Sequence, residues 1–355
     1  MLSTLAQLIH QKKTEELIKN LHQDCGGIAV IAGFLLSMLY LVIVMSIEGT
    51  ISLFEEDQNG VKLLGFFFGI IVLGITCFID DHRGIPPLTK LAGQLIAAII
   101  VVYSGIRIEN LDLPFIHEIG LNYTVSIIIT LGWLVGITNA INLIDGLDGL
   151  SSGIGIISCL SLLMVFSLNG SPIIAILAIT ALAGALIGFL PFNFNPAKTF
   201  IGDVGSNFVG FSLAVISILG VAKTYTAIVI IAPLIVLGLP ILDTLWAIVR
   251  RVFTGKSIKA IVMPDKKHLH HRLMAKGYTQ KQAVLILYAI SATLGMSAVI
   301  LLDSGIWKAL SFLIMVVAVV AIGYKNIFSL AENNEKEEKK DDWFAYAYYI
   351  FRWNM

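Results

Sequence analysis

Charged residues are scarce in this chain, since Asp, Glu, Lys and Arg together make up only 14% of its 355 residues. A soluble globular domain usually carries about 25%. Hydrophobic residues make up 57% of the chain. This composition excludes an ordinary soluble domain and predicts that most of the chain lies in a lipid bilayer.

Cysteine and net charge are also low, and each absence excludes a class of site. The three cysteines, Cys25, Cys77 and Cys159, are far apart, which excludes a disulfide framework and a cysteine-rich zinc site. The formal net charge is 0, so no general affinity for nucleic acid is expected.

Apolar runs long enough to cross a bilayer, which takes about 20 residues, recur along the chain. They cover about 27–47, 62–79, 90–106, 123–141, 150–168, 172–190, 204–221, 225–248, 283–302 and 306–323. The pattern predicts an all-α fold, a polytopic membrane helix bundle of about ten transmembrane helices. Three small-xxx-small pairs predict close helix packing in lipid: Gly65/Gly69, Gly132/Gly136 and Gly184/Gly188.

Lysine and arginine are distributed unequally between the two sets of loops that ten spans create. One set, which includes both termini, holds twenty of these residues, and the other holds four. Cytoplasmic loops are the basic ones, so the first set is predicted to face the cytoplasm. We expect a polar cytoplasmic segment (1–26) without a cleavable signal, a membrane domain (27–323) and a cytoplasmic tail (324–355).

Unusual polar residues lie in loops of the predicted cytoplasmic face. In the first such loop, Asp80 and Asp81 end an apolar run and Lys90 follows a turn stiffened by two prolines. Adjacent carboxylates repel each other unless a cation or a nearby positive group compensates them. The pair therefore indicates a site for a cation or a phosphorylated ligand better than an ordinary helix end.

The second polar loop is carried by a helix end. Asn139, Asn142 and Asp145 are three residues apart and share one helix face, while two glycines allow the chain to bring Asp148 back to the same place. A charge in the centre of a membrane helix costs about 2.5–3.5 kcal/mol. Such residues are retained mainly where they function.

Two further loops complete the set. Asp203 precedes an apolar run and has glycines on both sides, which allows backbone N–H groups to approach a phosphate. His268, His270, His271 and Arg272 follow a basic loop. The histidines are compatible with a transition-metal site, but the surrounding Lys and Arg favour contact with a diphosphate or a sugar.

Together, these carboxylates and basic groups predict a site for a phosphorylated substrate that depends on Mg²⁺, with Mn²⁺ as an alternative. Mg²⁺ prefers oxygen ligands, and substrate phosphates usually complete its coordination.

Four motifs resemble those of the polyprenyl-phosphate N-acetylhexosamine-1-phosphate transferases, in order and in spacing. The likeness runs from about Gly26 to Gly323. The motifs are Asp80-Asp81-x-x-Gly84 with Lys90 and Gln94, Asn139-x-x-Asn142-x-x-Asp145-Gly-x-Asp148-Gly-Leu150, Asn195-Pro-Ala-x-x-Phe200-x-Gly202-Asp203-x-Gly205-Ser206, and His268-x-His270-His271-Arg272-Leu273.

The resemblance implies a role for each matching residue. Asp203 would ligate Mg²⁺, Asp80 and Asp81 would position the lipid phosphate and the metal, and Lys90 would neutralise phosphate charge. The substrate-binding residues would be Asn139, Asn142, Asp145, Asp148, His268, His270, His271 and Arg272, with the histidine cluster on the diphosphate.

The resemblance also implies the reaction. Undecaprenyl phosphate would attack the sugar-linked phosphorus of a UDP-sugar at the cytoplasmic face of the plasma membrane and release UMP. The His-x-His-His-Arg form is similar to the N-acetylglucosamine 1-phosphate branch, which starts teichoic acid, O-antigen or related glycans. The alternatives are the phospho-N-acetylmuramoyl-pentapeptide branch of peptidoglycan synthesis and a lipid-phosphate transporter without catalysis. A homodimer is compatible with the sequence.

The first helix of the family has no counterpart here, because residues 1–25 supply only a polar segment. We therefore expect this chain to be less stable and less active than a version extended by one helix.

The charge distribution predicts that both termini lie in the cytoplasm. Reporter fusions at Gly60 and at the C-terminus should therefore report opposite compartments. Finding both fusions outside the cell would overturn this orientation.

Overall fold

The computed structural model of the chain describes residues 26–49, 59–113, 116–221, 227–255 and 268–317. The described helices are α1 (Gly26–Ile47), α2 (Asn59–Arg83), α3 (Pro87–Tyr103), α4 (Tyr123–Ile144), α5 (Leu150–Asn169), α6 (Ile173–Asn193), α7 (Gly202–Val221), α8 (Ala227–Val236), α9 (Gly238–Gly255), α10 (Leu269–Ala275), α11 (Gln280–Ser304) and α12 (Ile306–Val317). Two short strands, β1 (Asn110–Leu113) and β2 (Ile116–Gly120), separate α3 from α4.

The chain divides into two compact units, Met1–Gly305 and Ile306–Met355. Helix α12 is the described part of the second unit. Residues 1–25, the predicted end of the membrane domain at 323 and the predicted tail lie outside the described residues.

A polytopic all-α membrane fold is confirmed. Seven helices in the described part of the chain are long and apolar enough to cross a membrane: α1, α2, α4, α5, α6, α7 and α11. The predicted spans near 90–106 and 306–323 correspond to the shorter apolar helices α3 and α12. Large apolar side chains such as Leu36, Tyr40 and Phe68 are more than half exposed, as the lipid-facing surface of a bundle requires.

The prediction of one unbroken helix over 225–248 is wrong. Helix α8 ends at Val236 and α9 begins at Gly238, with a turn at Leu237 between them. Pro240 lacks the N–H group that would continue the helical hydrogen bonds, and Gly238 lowers the helix propensity at the same point. The two short strands are a second departure, and they form an antiparallel hairpin that pairs Asn110 with Gly120.

Helix α7 is the centre of the bundle, and nearly all of its residues are buried. It packs against α1, α2, α4, α5, α6 and α8. Gly210 allows a close approach to α4, because a Cβ at this position would lie 2.8 Å from the Thr138 Cα. Small residues on α7 thus bring it close to the helix that carries Asn139 and Asn142.

The predicted glycine pairs behave differently from one another. Gly65 and Gly69 do pack closely, since a Cβ at Gly65 would lie 2.1 Å from the Ser104 side chain. A Cβ at Gly132, Gly136 or Gly184 would meet no other atom within 4 Å, as is also the case at Gly188. Close packing at these four positions was a wrong prediction, and Gly132 and Gly136 instead line a groove.

Candidate functional site

Asp203 lies in the first turn of the central helix α7, where the helix dipole favours a negative charge. The helix begins at Gly202, whose φ of 63° belongs to the left-handed region that glycine adopts without strain. One carboxylate oxygen of Asp203 accepts a hydrogen bond from Asn142 Nδ2 at 2.9 Å. The other oxygen pairs with Lys90 Nζ.

Lys90 is shared between two carboxylates, because its Nζ also lies 3.3 Å from Asp80 Oδ2. Pro87 begins α3, and this start places Lys90 in the first turn of that helix. Asp80 Oδ1 accepts a hydrogen bond from Ile85 N at 2.9 Å, which closes the turn between α2 and α3. Asp80, Lys90 and Asp203, three of the predicted catalytic residues, are thus directly linked.

Asp81 faces the start of α7, where its Oδ2 accepts a long hydrogen bond of 3.4 Å from Val204 N. It also interacts electrostatically with Asp203. Two carboxylates that face each other with spare oxygen lone pairs suit Mg²⁺, which usually takes one or two carboxylates and leaves other positions to substrate phosphates. The donor chemistry of Asp81 and Asp203 therefore suits the predicted metal, although among the described residues no group of three His, Cys, Asp or Glu side chains has metal-site spacing.

Amide side chains form a buried network beside these charges. Gln94 Nε2 donates to Asn207 Oδ1 at 2.8 Å, and Asn139 Nδ2 donates to Gln94 Oε1 at 2.7 Å. Asn142 Nδ2 also donates to Ser206 Oγ at 2.9 Å. Asn207 was missed from the sequence, although its position four residues after Asp203 puts both on one helix face.

Asp145 and Asp148 lie in the turn between α4 and α5 and have different partners. Ser151 Oγ donates to Asp145 Oδ1 at 2.6 Å. Burial raises the pKa of Asp145 to about 7, and the nearby charge of Asp203 adds to this rise. Asp148 Oδ2 accepts from Asn195 Nδ2 at 2.9 Å and so holds the loop between α6 and α7.

The histidine cluster lies against this turn. A Cβ at Gly146 would lie only 2.1 Å from His270 Nε2, so the absence of a side chain there makes room for the imidazole. Burial lowers the pKa of His270 to about 4, and the neighbouring His271 and His268 add to the effect. His270 is therefore neutral near pH 7, while His271 and Arg272 are exposed.

His268, by contrast, is buried, and its Nδ1 donates a hydrogen bond to the buried Asp243 Oδ2 at 2.9 Å. Asp243 is an acid within an apolar run of the sequence, and it is not among the predicted site residues. Within the described residues, no group of three His, Cys, Asp or Glu side chains has the spacing of a metal site. The interpretation of the histidines as contacts for a diphosphate stays a prediction.

The structure therefore brings the four predicted loops to one end of the bundle. The carboxylates of Asp80, Asp81 and Asp203 surround Lys90, and Asp145 interacts electrostatically with Asp203. The histidines contact the turn that holds Asp145. Such an arrangement has more carboxylates than cationic groups, so it can bind a polyphosphate together with a cation that neutralises the excess charge.

The chain is similar to a known family profile and to named transferases. The glycosyl transferase family 4 profile matches residues 63–221. A probable undecaprenyl-phosphate N-acetylglucosaminyl 1-phosphate transferase of Bacillus subtilis is 37% identical over 297 residues, which are 84% of this chain and 78% of the relative.

Two further relatives carry other names. A decaprenyl-phosphate N-acetylglucosaminephosphotransferase of Mycobacterium tuberculosis strain H37Rv is 39% identical over 242 residues, which are 62% of this chain and 58% of the relative. A phospho-N-acetylmuramoyl-pentapeptide-transferase of Halalkalibacterium halodurans is 31% identical over 297 residues, which are 79% of this chain and 85% of the relative.

Replacing Asp203 by asparagine should remove the central charge of the site with almost no change in volume. We expect turnover to fall by about a hundredfold or more, as when a preorganised electrostatic group is removed from an active site. The protein should still fold and elute like the wild type, because Lys90 keeps its pairing with Asp80. Its melting temperature should fall, because asparagine has one acceptor oxygen and cannot accept from both Lys90 and Asn142.

The matched control is Glu48→Gln, which removes an exposed carboxylate just after the end of α1. It should retain wild-type turnover. Equal losses in both variants, or undiminished turnover in Asp203→Asn, would exclude Asp203 from the mechanism.

Proposed function

The chain belongs to glycosyl transferase family 4, and we propose that it transfers N-acetylglucosamine 1-phosphate from UDP-N-acetylglucosamine to undecaprenyl phosphate. The observation that carries this proposal is the cluster of Lys90, Asp80, Asp81 and Asp203 at one end of an apolar bundle. The Bacillus subtilis relative, which bears the name of this activity, supports the choice of substrates.

The proposed reaction needs no strong base. A phosphate monoester has a second pKa of about 6, so the lipid phosphate is largely a dianion at neutral pH. One of its oxygens forms a bond to the sugar-linked phosphorus, the bond from that phosphorus to the bridging oxygen breaks, and UMP leaves with the electron pair. Catalysis then rests on positioning and on charge neutralisation.

Each charged residue has a task in this scheme. Lys90 neutralises phosphate charge, and its two carboxylate partners keep the ammonium in place before the substrate arrives. Asp81 and Asp203 are the residues that would hold Mg²⁺, which supplies charge neutralisation at the diphosphate when bound. Asn142 orients the Asp203 carboxylate through its hydrogen bond of 2.9 Å.

A groove beside the site supports a lipid acceptor. It encloses about 620 Å³ between α4, α8 and α9. Its apolar lining includes Trp133, Ala140 and Leu234, and Lys62 and Arg107 lie among its few charged residues. The groove runs along α4 from Ile129 to Ala140, toward the end of the helix that carries Asn142. A polyprenyl chain is apolar and flexible, which suits such a lining.

The choice between the N-acetylglucosamine donor and the muramoyl-pentapeptide donor rests on sequence similarity. The His-x-His-His-Arg motif and the identity of 37% to the Bacillus subtilis relative favour N-acetylglucosamine, against 31% to the phospho-N-acetylmuramoyl-pentapeptide relative. Transfer of the pentapeptide donor is therefore the second candidate. We further propose that the product starts a cell envelope glycan, and that the site faces the cytoplasm across the plasma membrane.

The purified protein in detergent should release UMP only when UDP-N-acetylglucosamine, undecaprenyl phosphate and Mg²⁺ are all present. Mn²⁺ should replace Mg²⁺, and the muramoyl-pentapeptide donor should give little UMP. Release without the lipid would contradict the acceptor, and a preference for the pentapeptide donor would establish the second candidate. No release with any donor would favour a transporter.

Gly136→Leu should block the groove without disturbing the bundle. No atom lies within 4 Å of a Cβ at this position, and leucine raises helix propensity. We expect the KM for undecaprenyl phosphate to rise about tenfold. The KM for the sugar nucleotide should change little.

Gly184→Leu is the matched control, since Gly184 also has room for a side chain but lies outside the groove. Its kinetics should equal those of the wild type. A similar rise in both variants would mean that the groove does not hold the acceptor.

A further inference from the structure

Asp243 is a buried carboxylate on α9 that none of the proposed steps uses. It is only 4% exposed. A buried acid in a membrane protein is costly unless partners compensate it, and such acids are retained mainly for function. Its partners therefore indicate what it does.

Both oxygens of Asp243 are directed at the start of α10. Oδ2 accepts from His268 Nδ1 at 2.9 Å, and Oδ1 accepts from Leu269 N at 3.0 Å. Because a carboxylate accepts on both oxygens, Nδ1 of His268 carries the proton. Asp243 thus holds the histidine ring in one orientation and also satisfies the first backbone N–H group of the helix.

Helix α10 is held by this anchor and by the packing of Leu269 and Leu273 against buried apolar residues. It has only seven residues, and the side chain of its own N-cap residue, His268, makes no capping hydrogen bond. A helix of this length is marginal without tertiary contacts. Removing the anchor would allow the helix, and every side chain on it, to shift.

The side chains on α10 form the predicted diphosphate contacts. His270 is 2% exposed and stacks parallel to His268, with ring centroids 6.0 Å apart. His271 lies next, its ring centroid 4.2 Å from that of His270. His271 and Arg272 are the exposed members, so they are the ones that a ligand can reach.

We propose that Asp243 and His268 form a positioning pair that fixes α10, so that His271 and Arg272 face the donor diphosphate. This inference rests on the proposed function, and it assigns His268 to positioning rather than to ligand contact. The pair acts from α9, the helix that carries Thr244 and Leu245 on the wall of the acceptor groove.

Asp243→Asn tests the pair, because asparagine has one acceptor oxygen and cannot accept from both His268 and Leu269. We expect the KM for UDP-N-acetylglucosamine to rise about tenfold, with the KM for undecaprenyl phosphate within about twofold of the wild type. Equal rises in both KM values would indicate a general loss of structure and would overturn the proposal.

Variants of His268 separate positioning from ligand contact. His268→Leu removes the donor to Asp243 and should raise the donor KM as Asp243→Asn does. His268→Asn restores an N–H group near the place of Nδ1 and should recover most of that loss. A double variant, Asp243→Asn with His268→Leu, should be no worse than either single variant, because paired residues are not additive. Additive losses in the double variant, or a failure of His268→Asn to recover the donor KM, would contradict the proposed pair.

One control variant and two fallback measurements make the outcome unambiguous. Ser291→Ala removes a buried hydroxyl that has no hydrogen-bond partner among the described residues, and it should leave both KM values unchanged. If Asp243→Asn does not fold, the comparison of His268→Leu with His268→Asn decides the question. If the wild type releases no UMP, the proposed function fails, and the pair is judged by non-additive melting temperatures of the same variants.

Discussion

Buried polar groups must find partners inside the bundle, and this constraint determines how the helices around α7 are arranged. The first turns of α7 present Asp203, Ser206 and Asn207 on one face, where Ser206 and Asn207 are fully buried and Asp203 is partly exposed. Lys90, Gln94 and Asn142 satisfy them from α3 and α4. An unsatisfied buried polar group costs about 1–3 kcal/mol, so shifting either helix would be penalised at several points at once.

The same contacts preorganise the charges of the site. Lys90 lies between the carboxylates of Asp80 and Asp203. The Asp81 carboxylate repels that of Asp203, and one lysine offsets the charge of the three acids only in part. The excess of negative charge favours the arrival of a cation, and the lysine favours a phosphate. The hydrogen bonds that hold the bundle together therefore also arrange the charges of the proposed metal and phosphate site.

The broken helix α8–α9 serves two surfaces. The groove is lined by Ile241, Thr244 and Leu245, while Asp243 is hydrogen-bonded to His268 at the start of α10. Both surfaces are therefore carried by α9, directly after the turn at Leu237.

The sequence by itself determined the class of fold, the polar loops and the residues of the charged cluster. Hydropathy reports burial in lipid over runs of about 20 residues, and motif spacing reports which side chains share a helix face. The tertiary structure alone decided that Gly136 lines a groove whereas Gly210 packs against Thr138, and that Asp243 partners His268. These facts depend on contacts between residues far apart in the chain, and a local pattern carries no information about which distant helix will lie opposite.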